Sequence, residues 1–528
     1  MLSPLAQDPA AAVRLAVALA AGAILALALE RLVRPGAPGL RRGAASALIG
    51  IGTHWLGAAV VLLVFQRALF AAAAALAAQL LVVLVSNAKY RALREPFVFT
   101  DFALFSQAFR HPRLYLPFLG VGRAVLAAAA FAGSIVLGLS IEPRLPGSTA
   151  IALLVSATAA ALLGLGVRVA GQVSFDPLAD IRRFGLVPTL WLYWLAERRQ
   201  SAVPPPMPWA SALAGPAAPR REDLPDLVAV ESESFFDVRR LYPDVAADVL
   251  QHFDEVGRMA ARRGRLQVAA WGANTMRTEF AFLTGIGPEA LGVHRFNPYR
   301  LAARGPIASL PSWLRTLGYR TVCIHPHPAS FFERHRVFPN LGFDEFIDIG
   351  GFEDAARCGP YIADEEVARM IARVLDQAAG PVFVFAITME NHGPLHLERA
   401  SAADAARLYA RPPPPGFDDL TVYLRHLANA DRMLGELAAL LCARDRDGVL
   451  CWFGDHVPSM PDVYDALGFA DGRTDYLIMS RGASGRDEDL PVERLGARLA
   501  ESIRAPRPAG VSNGPKPRGS ENDGPDGL

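Results

Sequence analysis

Cysteine is scarce in this sequence, and neither sign of charge dominates it. The 528 residues contain four cysteines, whose spacing matches no zinc-binding pattern. Cys323 and Cys451 lie in apolar runs, which favours buried thiols over a disulfide. The formal net charge is +1 at pH 7, so bulk charge gives no reason to expect a nucleic-acid partner. Neither a disulfide framework nor nucleic-acid binding is expected.

Acidic residues are rare in about the first 170 residues, which are rich in Ala, Leu and Val. A helix needs about 20 apolar residues to cross a bilayer. Five segments meet this length approximately, at 11–32, 44–65, 68–85, 123–139 and 149–169. Their succession, with almost no interior charge, favours membrane spans over buried core helices. No secretory cleavage signature stands out, so the first span is expected to remain as an anchor.

The rest of the chain has an ordinary soluble composition. Residues 184–199 are predicted to form an amphipathic helix on the bilayer surface. Residues 203–219 are rich in Pro and Ala and are expected to be a linker. Short apolar strands then alternate with helices, which predicts a mostly parallel sheet covered by helices. The predicted strands are 227–230, 321–324, 382–387, 449–453 and 476–479, and the clearest helices are 364–377 and 418–440.

These patterns predict a division of the chain into four parts. Residues 1–172 form an all-α transmembrane domain, and 173–221 hold the interfacial helix and the linker. Residues 222–504 form a soluble α/β domain, and 505–528 form a disordered tail.

Acidic and imidazole side chains follow two of the predicted strands. Gly454-Asp455-His456 follows the apolar run 449–453, and Glu233 follows 227–230. Open α/β sheets bind ligands beyond the carboxyl ends of their strands. Carboxylates beside an imidazole suit zinc or manganese better than calcium. Glu231, two residues before Glu233, could be part of a solvated acidic rim.

Hydroxyl and cationic groups add to this set. Thr275 precedes Thr278-Glu279-Phe280, which can open a helix, so its hydroxyl is either a nucleophile or a plain N-cap. His325 and His327 follow the strand 321–324, with Arg334 shortly after, and His392 follows 382–387. A lone histidine is usually structural, but two strands here deliver one each. Together these groups predict metal-assisted phosphoryl or sulfuryl transfer.

At these residues the chain resembles the lipoteichoic acid synthase-like group, the membrane phosphoglycerol transferases of the alkaline phosphatase and sulfatase superfamily. Five local patterns, in this order behind five spans, carry the resemblance: Glu233-Ser-Phe, Thr275-x-x-Thr278-Glu279-Phe280, His325 with Phe331-Phe-Glu-Arg334, Asn391-His392-Gly-Pro394, and Gly454-Asp455-His456. The resemblance implies a five-helix transmembrane domain joined to an α/β sulfatase-like domain with a mostly parallel sheet.

The resemblance also implies roles for individual residues. The implied metal ligands are Glu233, Thr275, Asp455 and His456, and Thr275 is also the implied nucleophile. The implied substrate-binding residues are His325, Arg334, His392 and Phe332. Phe332 stands where the family often has a tryptophan, and Arg277 replaces a small polar residue, which could reflect a different acceptor.

The resemblance implies a bacterial enzyme of the cytoplasmic membrane, with its catalytic domain on the periplasmic or outer side. The implied cofactor is one divalent ion, Mn²⁺ first and Mg²⁺ or Zn²⁺ next. The implied donor is phosphatidylglycerol, and the acceptor is a glycan or polymer of the cell envelope. Basic residues after the first and third spans, such as Lys89, Arg91 and Arg94, would instead put this domain in the cytoplasm by the positive-inside rule. The basic loop 86–101 is either an interfacial anchor or a contact for an anionic lipid.

Three alternatives to a phosphoglycerol transferase stay open. A phosphoethanolamine transferase is the nearest in chemistry, although those enzymes have more disulfides and a second zinc site. A sulfatase or phosphatase is the second, although Thr275-Met-Arg does not fit the sulfatase pattern for formylglycine formation. A membrane protein with a non-catalytic binding domain is the third.

Overall fold

The computed structural model describes residues 8–36, 43–103, 138–200, 220–482 and 485–503, with scattered positions between 122 and 136. Long apolar helices precede an α/β domain built on a mostly parallel sheet, which confirms the predicted fold class. The described helices are α1 (Pro9–Leu29), α2 (Ala44–Phe65), α3 (Ala68–Leu93), α4 (Ser148–Val169), α5 (Pro177–Phe184), α6 (Leu186–Arg199), α7 (Gln251–Met259), α8 (Thr275–Thr284), α9 (Pro288–Leu291), α10 (Tyr299–Ala302), α11 (Leu310–Thr316), α12 (Arg334–Asn340), α13 (Asp364–Asp376), α14 (Ala402–Leu408), α15 (Asp418–Ala443), α16 (Pro461–Leu467) and α17 (Leu495–Glu501). The strands are β1 (Asp226–Ser232), β2 (Arg262–Gln267), β3 (Arg320–Ile324), β4 (Glu345–Ile347), β5 (Arg357–Cys358), β6 (Tyr361–Ile362), β7 (Val382–Ile387), β8 (Gly448–Gly454), β9 (Thr474–Ser480), β10 (Arg486–Asp487) and β11 (Leu490–Pro491).

Four of the described helices are long and apolar enough to cross a membrane. They are Pro9–Leu32, which includes a terminal 3-10 turn, and α2, α3 and α4. They coincide with four of the five predicted spans. The third was predicted to end at residue 85, but α3 continues to Leu93. Hydropathy falls after residue 85 because α3 there leaves the apolar bundle and packs against the α/β domain.

Ten of the seventeen residues of the fifth predicted span, 123–139, lie outside the described residues. Described residues on either side of it lie at opposite ends of α3. Asp101 accepts a hydrogen bond from Lys89 near the end of α3, whereas Glu142 accepts from the backbone of Leu69 and Phe70 at its start. The described residues Asp101 and Glu142 therefore lie at opposite ends of the bundle. A further span between them stays a prediction.

Helix α6 contacts both the apolar bundle and the α/β domain, and its predicted position at the bilayer surface stays a prediction. It is shorter than the predicted helix 184–199, because Gly185 separates it from α5. The buried carboxylate of Glu30 accepts hydrogen bonds from the first backbone N–H groups of α6, at 2.6 and 2.9 Å. Trp191 donates to Thr53 of α2, and the Tyr193 ring stacks on Phe296 of the α/β domain at 5.1 Å.

The sheet places the central strands where their carboxyl ends can share a site. The strand order is β10-β2-β9-β8-β1-β7-β3-β4, and β11 also pairs with β2. The run β8-β1-β7-β3-β4 is parallel, whereas β9 is antiparallel to both β8 and β2. Since β1 lies between β7 and β8, the residues that follow these three strands emerge side by side.

Helices cover both faces of this sheet. Val228 and Val230 face a core formed with α7, α13 and α15, whereas Leu227 and Ala229 face a core formed with α8, α11, α12 and α17. All seven residues of β1 are buried, as expected for a central parallel strand.

Candidate functional site

The predicted site residues follow the parallel strands at one edge of the sheet. The residues that follow β1, β8, β3 and β7 there are Glu233, Asp455, His456, His325 and His392. Parallel strands deliver their carboxyl ends to a single edge, which is why residues far apart in sequence meet here.

Glu233, Asp455 and His456 form a candidate metal site. One possible ligand atom from each lies within 4.8 Å of the other two. His456 Nε2 lies 3.1 Å from Asp455 Oδ2 and 3.7 Å from Glu233 Oε1. The backbone N–H groups of Ser234 and His456 both donate to Asp455 Oδ1 at 2.8 Å. These hydrogen bonds fix the carboxylate with its other oxygen towards the cluster.

The donor set fits a divalent cation. All three side chains are buried, yet Asp455 Oδ2 and His456 Nε2 have no hydrogen-bond partner among the described residues. His456 Nδ1 lies 3.1 Å from the carbonyl oxygen of Val457, so Nδ1 carries the proton and Nε2 is free to ligate. Burial and then the Asp455 charge raise the pKa of Glu233 to about 8. A cation would compensate both the unpaired atoms and the repulsion between carboxylates.

Thr275 begins helix α8 beside this cluster. The N-cap is Asn274, so Thr275 is the first helical residue and the plain N-cap alternative is wrong. No hydrogen bond engages the Thr275 hydroxyl within the described part of the chain. Thr278 Oγ1 donates to the carbonyl oxygen of Asp455 at 2.8 Å, which ties α8 to the loop after β8. The Thr275 hydroxyl therefore stands at a helix N-terminus, where the backbone favours negative charge.

Arg334 is buried between an acid and a histidine. Its Nη2 donates to Glu279 Oε2 at 2.9 Å and its Nη1 to His325 Nε2 at 3.2 Å. His325 Nδ1 lies 3.1 Å from the carbonyl oxygen of Ile387 and carries the proton. Burial and the Arg334 charge hold the pKa of His325 well below its usual range, so the ring is neutral. Arg334 Nε has no partner among the described residues and is available to an anion.

His392 and His327 differ in where they lie. His392 Nδ1 is 2.7 Å from the carbonyl oxygen of Gly393 and 3.3 Å from the Tyr361 hydroxyl. Burial lowers the pKa of His392, and its ring lines a cavity between the α/β domain and the end of α3. His327 instead packs against Phe331, with ring centroids 4.7 Å apart, and does not line the cavity.

Unusual backbone conformations cluster around the site. Ser234, Asn274 and Phe332 are non-glycine residues with positive φ, at 57, 70 and 53°. At Gly454 an added Cβ would lie 1.8 Å from the carbonyl oxygen of Phe235, so only glycine fits before Asp455. Strained backbone of this kind gathers at ligand sites, where the surrounding structure holds it in place.

One cavity of about 270 Å³ collects these residues, and two parts of the chain form its walls. The α/β domain contributes the predicted site residues Glu233, Thr275, His325, Phe332, Arg334 and His392. The membrane region contributes the end of α3 and the residues after it, namely Val85, Ala88, Lys89, Ala92, Leu93, Phe97 and Asp101. A mostly apolar wall from the end of a membrane-spanning helix therefore faces a polar wall that carries the predicted site residues.

Ion pairs hold this membrane-side wall against α8. Arg277 forms two hydrogen bonds with the Glu95 carboxylate, at 2.6 and 3.0 Å, and Lys89 binds Glu95 and Asp101 at 2.7 and 2.6 Å. Burial would raise the pKa of Glu95, but Arg277 and Lys89 together hold it below its usual range. Arg277, predicted to serve an acceptor, instead fixes the loop after α3.

The other basic residues of segment 86–101 also pair with acids. Arg91 pairs with Asp462, and Arg94 lies 3.6 Å from Asp465 and 5.5 Å from the Trp271 ring centre. The segment is therefore a helix end docked on the α/β domain, and its predicted roles as an interfacial anchor or a lipid contact stay predictions. The positive-inside rule counts Lys and Arg whether or not acids pair with them, so the side of the membrane on which this domain lies stays a prediction.

Two acidic residues contribute to the site in ways that the sequence reasoning missed. Glu231 is fully buried on β1 and is not part of a solvated rim. Burial, Glu279 and Asp455 raise its pKa well above the usual range. Glu279 lies in a recognised pattern, but its role as the partner of Arg334 appears only in three dimensions. The position of Glu231 inside an apolar run was the available signal for its burial.

The α/β domain matches a known protein family, and similar proteins are known from sequence and from structure. The sulfatase family matches residues 225–492. The capsular polysaccharide biosynthesis protein RkpI of Rhizobium meliloti is 29% identical over 465 residues, which are 82% of this chain and 82% of that protein. A putative cyclic β-1,2-glucan modification protein of the same organism is 31% identical over 261 residues, 49% of this chain and 40% of that protein. The solved structure of Streptococcus pyogenes phosphoglycerol transferase GacH in complex with sn-glycerol-1-phosphate is 22% identical, covers 54% of this chain and 75% of that chain, and has a TM-score of 0.44.

The family match includes the whole predicted site, from Glu233 to His456, and extends over more than half of the chain. It confirms the superfamily to which the sequence patterns pointed. The chain belongs to the sulfatase family.

Proposed function

We propose that this chain is a metal-dependent membrane phosphoglycerol transferase, which moves glycerol phosphate from phosphatidylglycerol to a glycan or polymer of the cell envelope. The observation that carries the proposal is the shared cavity: Thr275 lies on one wall and the end of α3 on the other. A hydroxyl that faces the end of a membrane-spanning helix across one cavity suits a phosphodiester held at the membrane surface. Membership of the sulfatase family supports metal-assisted chemistry at this site.

The two walls match the two halves of a phospholipid. Val85, Ala88 and Leu93 offer an apolar surface for the diacylglycerol part. Arg334 and the candidate metal site offer positive charge for the phosphate. Lys89 also lines the cavity, but its ammonium is already paired with two carboxylates. We therefore assign phosphate binding to Arg334 rather than to the basic end of α3.

In the first step, Thr275 Oγ forms a bond to phosphorus while the bond from phosphorus to the diacylglycerol oxygen breaks. Thr275 Oγ gives up its proton and the diacylglycerol oxygen takes one up, so diacylglycerol leaves as an alcohol and glycerophosphate remains on Thr275. Arg334 Nε donates a hydrogen bond to a phosphate oxygen, while Glu279 and His325 hold the guanidinium in position. Glu233, Asp455, His456 and the Thr275 oxygen would hold a divalent ion, which would supply Lewis-acid assistance and a lower pKa for the hydroxyl.

In the second step, an acceptor hydroxyl attacks the phosphorus, and the bond to Thr275 Oγ breaks. His392 is the proposed proton acceptor, because its Nδ1 is bound to the Gly393 carbonyl and its Nε2 is left as the basic atom. Its lowered pKa keeps the ring neutral and able to accept this proton. Thr275 takes up a proton and is ready for another donor. Phe332 is the proposed contact for the glycerol part.

The proposed acceptor and location follow from the names of the relatives. RkpI is named for capsular polysaccharide biosynthesis and the second relative for modification of a cyclic glucan, so we propose an envelope glycan as acceptor. Such glycans suit a catalytic domain outside the cytoplasm of a bacterial inner membrane. Mn²⁺ is the proposed ion, and Mg²⁺ and Zn²⁺ suit the same carboxylate, imidazole and hydroxyl donors.

The deciding experiment is the intact mass of the purified full chain after incubation with phosphatidylglycerol and Mn²⁺. We expect an added glycerophosphate on the wild type, none on Thr275→Ala, and the adduct again on Thr275→Ser, which keeps the hydroxyl. The turnover of Thr275→Ala should fall by roughly 10⁴-fold or more, the scale of losing a nucleophile.

Two outcomes would contradict the proposal. Full transfer activity in Thr275→Ala would remove Thr275 as nucleophile. An adduct with phosphatidylethanolamine but none with phosphatidylglycerol would replace the proposed reaction with phosphoethanolamine transfer.

A further inference from the structure

A second cluster of metal-binding side chains lies outside the catalytic cavity. Cys358 comes from the hairpin of β5 and β6, Glu390 from the loop after β7, and His426 from the middle of α15. One possible ligand atom from each lies within 4.8 Å of the other two. Neither the family match nor any motif in the sequence accounts for a thiol, a carboxylate and an imidazole meeting at this point.

The distance between His426 and Cys358 suits two ligands of one ion, whereas the shorter contacts of Glu390 with His426 and Asn429 are hydrogen bonds that an ion would replace. His426 Nδ1 lies 3.6 Å from Cys358 Sγ and 3.0 Å from Glu390 Oε1. The Asn429 amide, one helical turn after His426, lies 3.5 Å from the same sulfur and 2.5 Å from the same carboxylate oxygen. Rotation of this amide by a half turn would present its oxygen instead of its nitrogen. Four side chains thus converge on one point, the number that zinc takes in closed structural sites.

A supporting set of hydrogen bonds surrounds these atoms. The far nitrogen of His426, Nε2, lies 3.1 Å from Glu398 Oε1, and Arg425 holds Glu398 at 2.7 Å. The second oxygen of Glu390 accepts a hydrogen bond from the backbone N–H of Asp364 at 2.8 Å. Metal-binding histidines usually donate their other N–H to a carboxylate, and ligating carboxylates are themselves hydrogen-bonded. Each of the three ligands except the thiol has such a partner.

Burial and access also fit a bound ion. His426 and Glu390 are buried, with exposed fractions of 0% and 1%, whereas Cys358 is partly exposed. An ion can therefore reach the cluster from the side of the short hairpin. A thiolate with an imidazole and a carboxylate favours zinc over magnesium, calcium or manganese, because sulfur is a soft ligand.

We propose that Cys358, Glu390 and His426 form a second metal site, which binds zinc, with the Asn429 amide as a fourth ligand. Binding releases the protons of the Cys358 thiol and of His426 Nδ1, and Nε2 keeps its proton towards Glu398. The evidence for metal binding here does not rest on the proposed transferase reaction or on the cluster at Glu233.

The site also connects to the catalytic cavity. Glu390 precedes His392 by two residues in one loop, and Tyr361 of the same hairpin as Cys358 contacts His392. A zinc ion between hairpin, loop and α15 would fix the position of this histidine. Loss of the ion should therefore make the position of His392 less fixed, although every side chain that lines the cavity would still be present.

The test is the metal content of the purified full chain after equilibration with zinc and removal of free metal. We expect Cys358→Ser to contain about one zinc fewer per chain than the wild type. Cys442→Ser, which changes an exposed cysteine away from the cluster, should match the wild type. Asp455→Asn should lose metal from the first site only, so that a failure of the proposed catalytic site is distinguishable. Equal zinc content in the wild type and Cys358→Ser overturns the second site.

A measurement on the wild type covers the case in which Cys358→Ser does not fold. The rate at which a maleimide labels Cys358 is compared with and without zinc, with Cys442 as the internal control in the same molecule. Zinc should slow the labelling of Cys358 at least several-fold and leave that of Cys442 unchanged. Equal rates for Cys358 in both conditions would overturn the proposal.

Discussion

Two buried arginine–glutamate pairs extend from helix α8 in opposite directions and do different work. On the membrane side, each nitrogen of the Arg277 guanidinium has a hydrogen-bond partner. Both terminal nitrogens bind Glu95, and Nε donates to the carbonyl oxygen of Phe296. On the cavity side, Arg334 binds Glu279 through one nitrogen only and keeps Nε without a described partner. A saturated pair fixes two parts of a chain together, whereas an unsaturated pair leaves a donor for a ligand.

The charge balance of the two sides differs in the same way. Burial raises the pKa of both glutamates, but two cations, Arg277 and Lys89, bring that of Glu95 below its usual range. Glu279 has only Arg334 against burial and the nearby Asp455, and its pKa is raised. On the membrane side, the charges of Lys89 and Arg277 balance those of two carboxylates without a ligand. The cavity side lacks positive charge, which is expected where a metal ion belongs.

Replacing the cavity-side arginine should have the largest effect. Arg334→Gln leaves the buried carboxylate of Glu279 without its partner, so the free energy of unfolding should fall by roughly 3 kcal/mol. Transfer should fall by about 10²-fold or more, the scale of removing a hydrogen bond donor from developing charge. Thermal unfolding in detergent and the rate of glycerophosphate transfer measure the two effects.

The matched variant Arg334→Lys separates charge from geometry. An ammonium can pair with Glu279 but cannot also reach His325 and a phosphate, so stability should recover more than activity. Full activity in Arg334→Gln would mean that the unpartnered Nε does not bind the substrate.

Breaking the membrane-side pair should have a smaller and different effect. Glu95→Gln removes a charged partner from Arg277 and Lys89, which should cost roughly 1.5–3 kcal/mol of unfolding free energy. The docking of α3 on the α/β domain should loosen, so transfer from the lipid should fall more than cleavage of a small water-soluble phosphodiester. The ratio of these two rates is the measurement.

Asp462→Asn is the control for this variant, because it breaks an exposed pair with Arg91 at the same interface. Exposed pairs contribute little, so both rates should be unchanged. If Glu95→Gln lowers the two rates equally, the pair supports α8 itself and not the lipid-facing wall.

The cavity side was predictable from the sequence because strand ends determine it. Glu233, Asp455, His456 and His325 each follow an apolar run, and parallel strands bring such residues to one edge. The membrane side was not, because its contacts join residues distant in sequence with no periodic signal. Arg91 and Asp462, for example, are 371 positions apart. A count of charges along the sequence therefore treats the basic residues near the end of α3 as having no acidic partners.

Helix ends also limited the prediction. Hydropathy indicates where a helix leaves an apolar layer, so the third span was predicted to end at residue 85. The helix itself continues to Leu93, because the contacts that stabilise its last turns come from the α/β domain. Ser459 Oγ, for example, donates to the carbonyl oxygen of Ala92 at 3.0 Å. This continuation is what brings the membrane region into the cavity.

The pH dependence of stability should report the neutral His325 on the cavity side. Its pKa is lowered in the folded state, whereas an unfolded histidine titrates near pH 6.5. Below about pH 6.5 the unfolded chain binds a proton that the folded chain does not. Stability should therefore be lost as pH falls, by up to about 1.4 kcal/mol per pH unit from this group.

Thermal unfolding at about pH 7.5 and pH 5.5 measures this dependence. His325→Gln should make it shallower, and His335→Gln, at an exposed position on α12, is the comparison variant. An equally steep loss in His325→Gln would assign the acid sensitivity to other groups.

The smallest expected effect tests the apolar wall alone. Leu93 lines the cavity, so Leu93→Ala should remove part of the surface that would cover the diacylglycerol. Each buried methylene contributes about 0.8 kcal/mol, so partial cover corresponds to a few-fold rise in KM for phosphatidylglycerol. The kcat and the cleavage of a water-soluble phosphodiester should not change. Leu84→Ala is the control, because Leu84 lies on the same helix, is 54% exposed and does not line the cavity. Equal KM values in the two variants would mean that α3 docks on the α/β domain without binding the lipid donor. The cavity side of α8 would then bind the substrate, and the membrane side would only hold the two parts of the chain together.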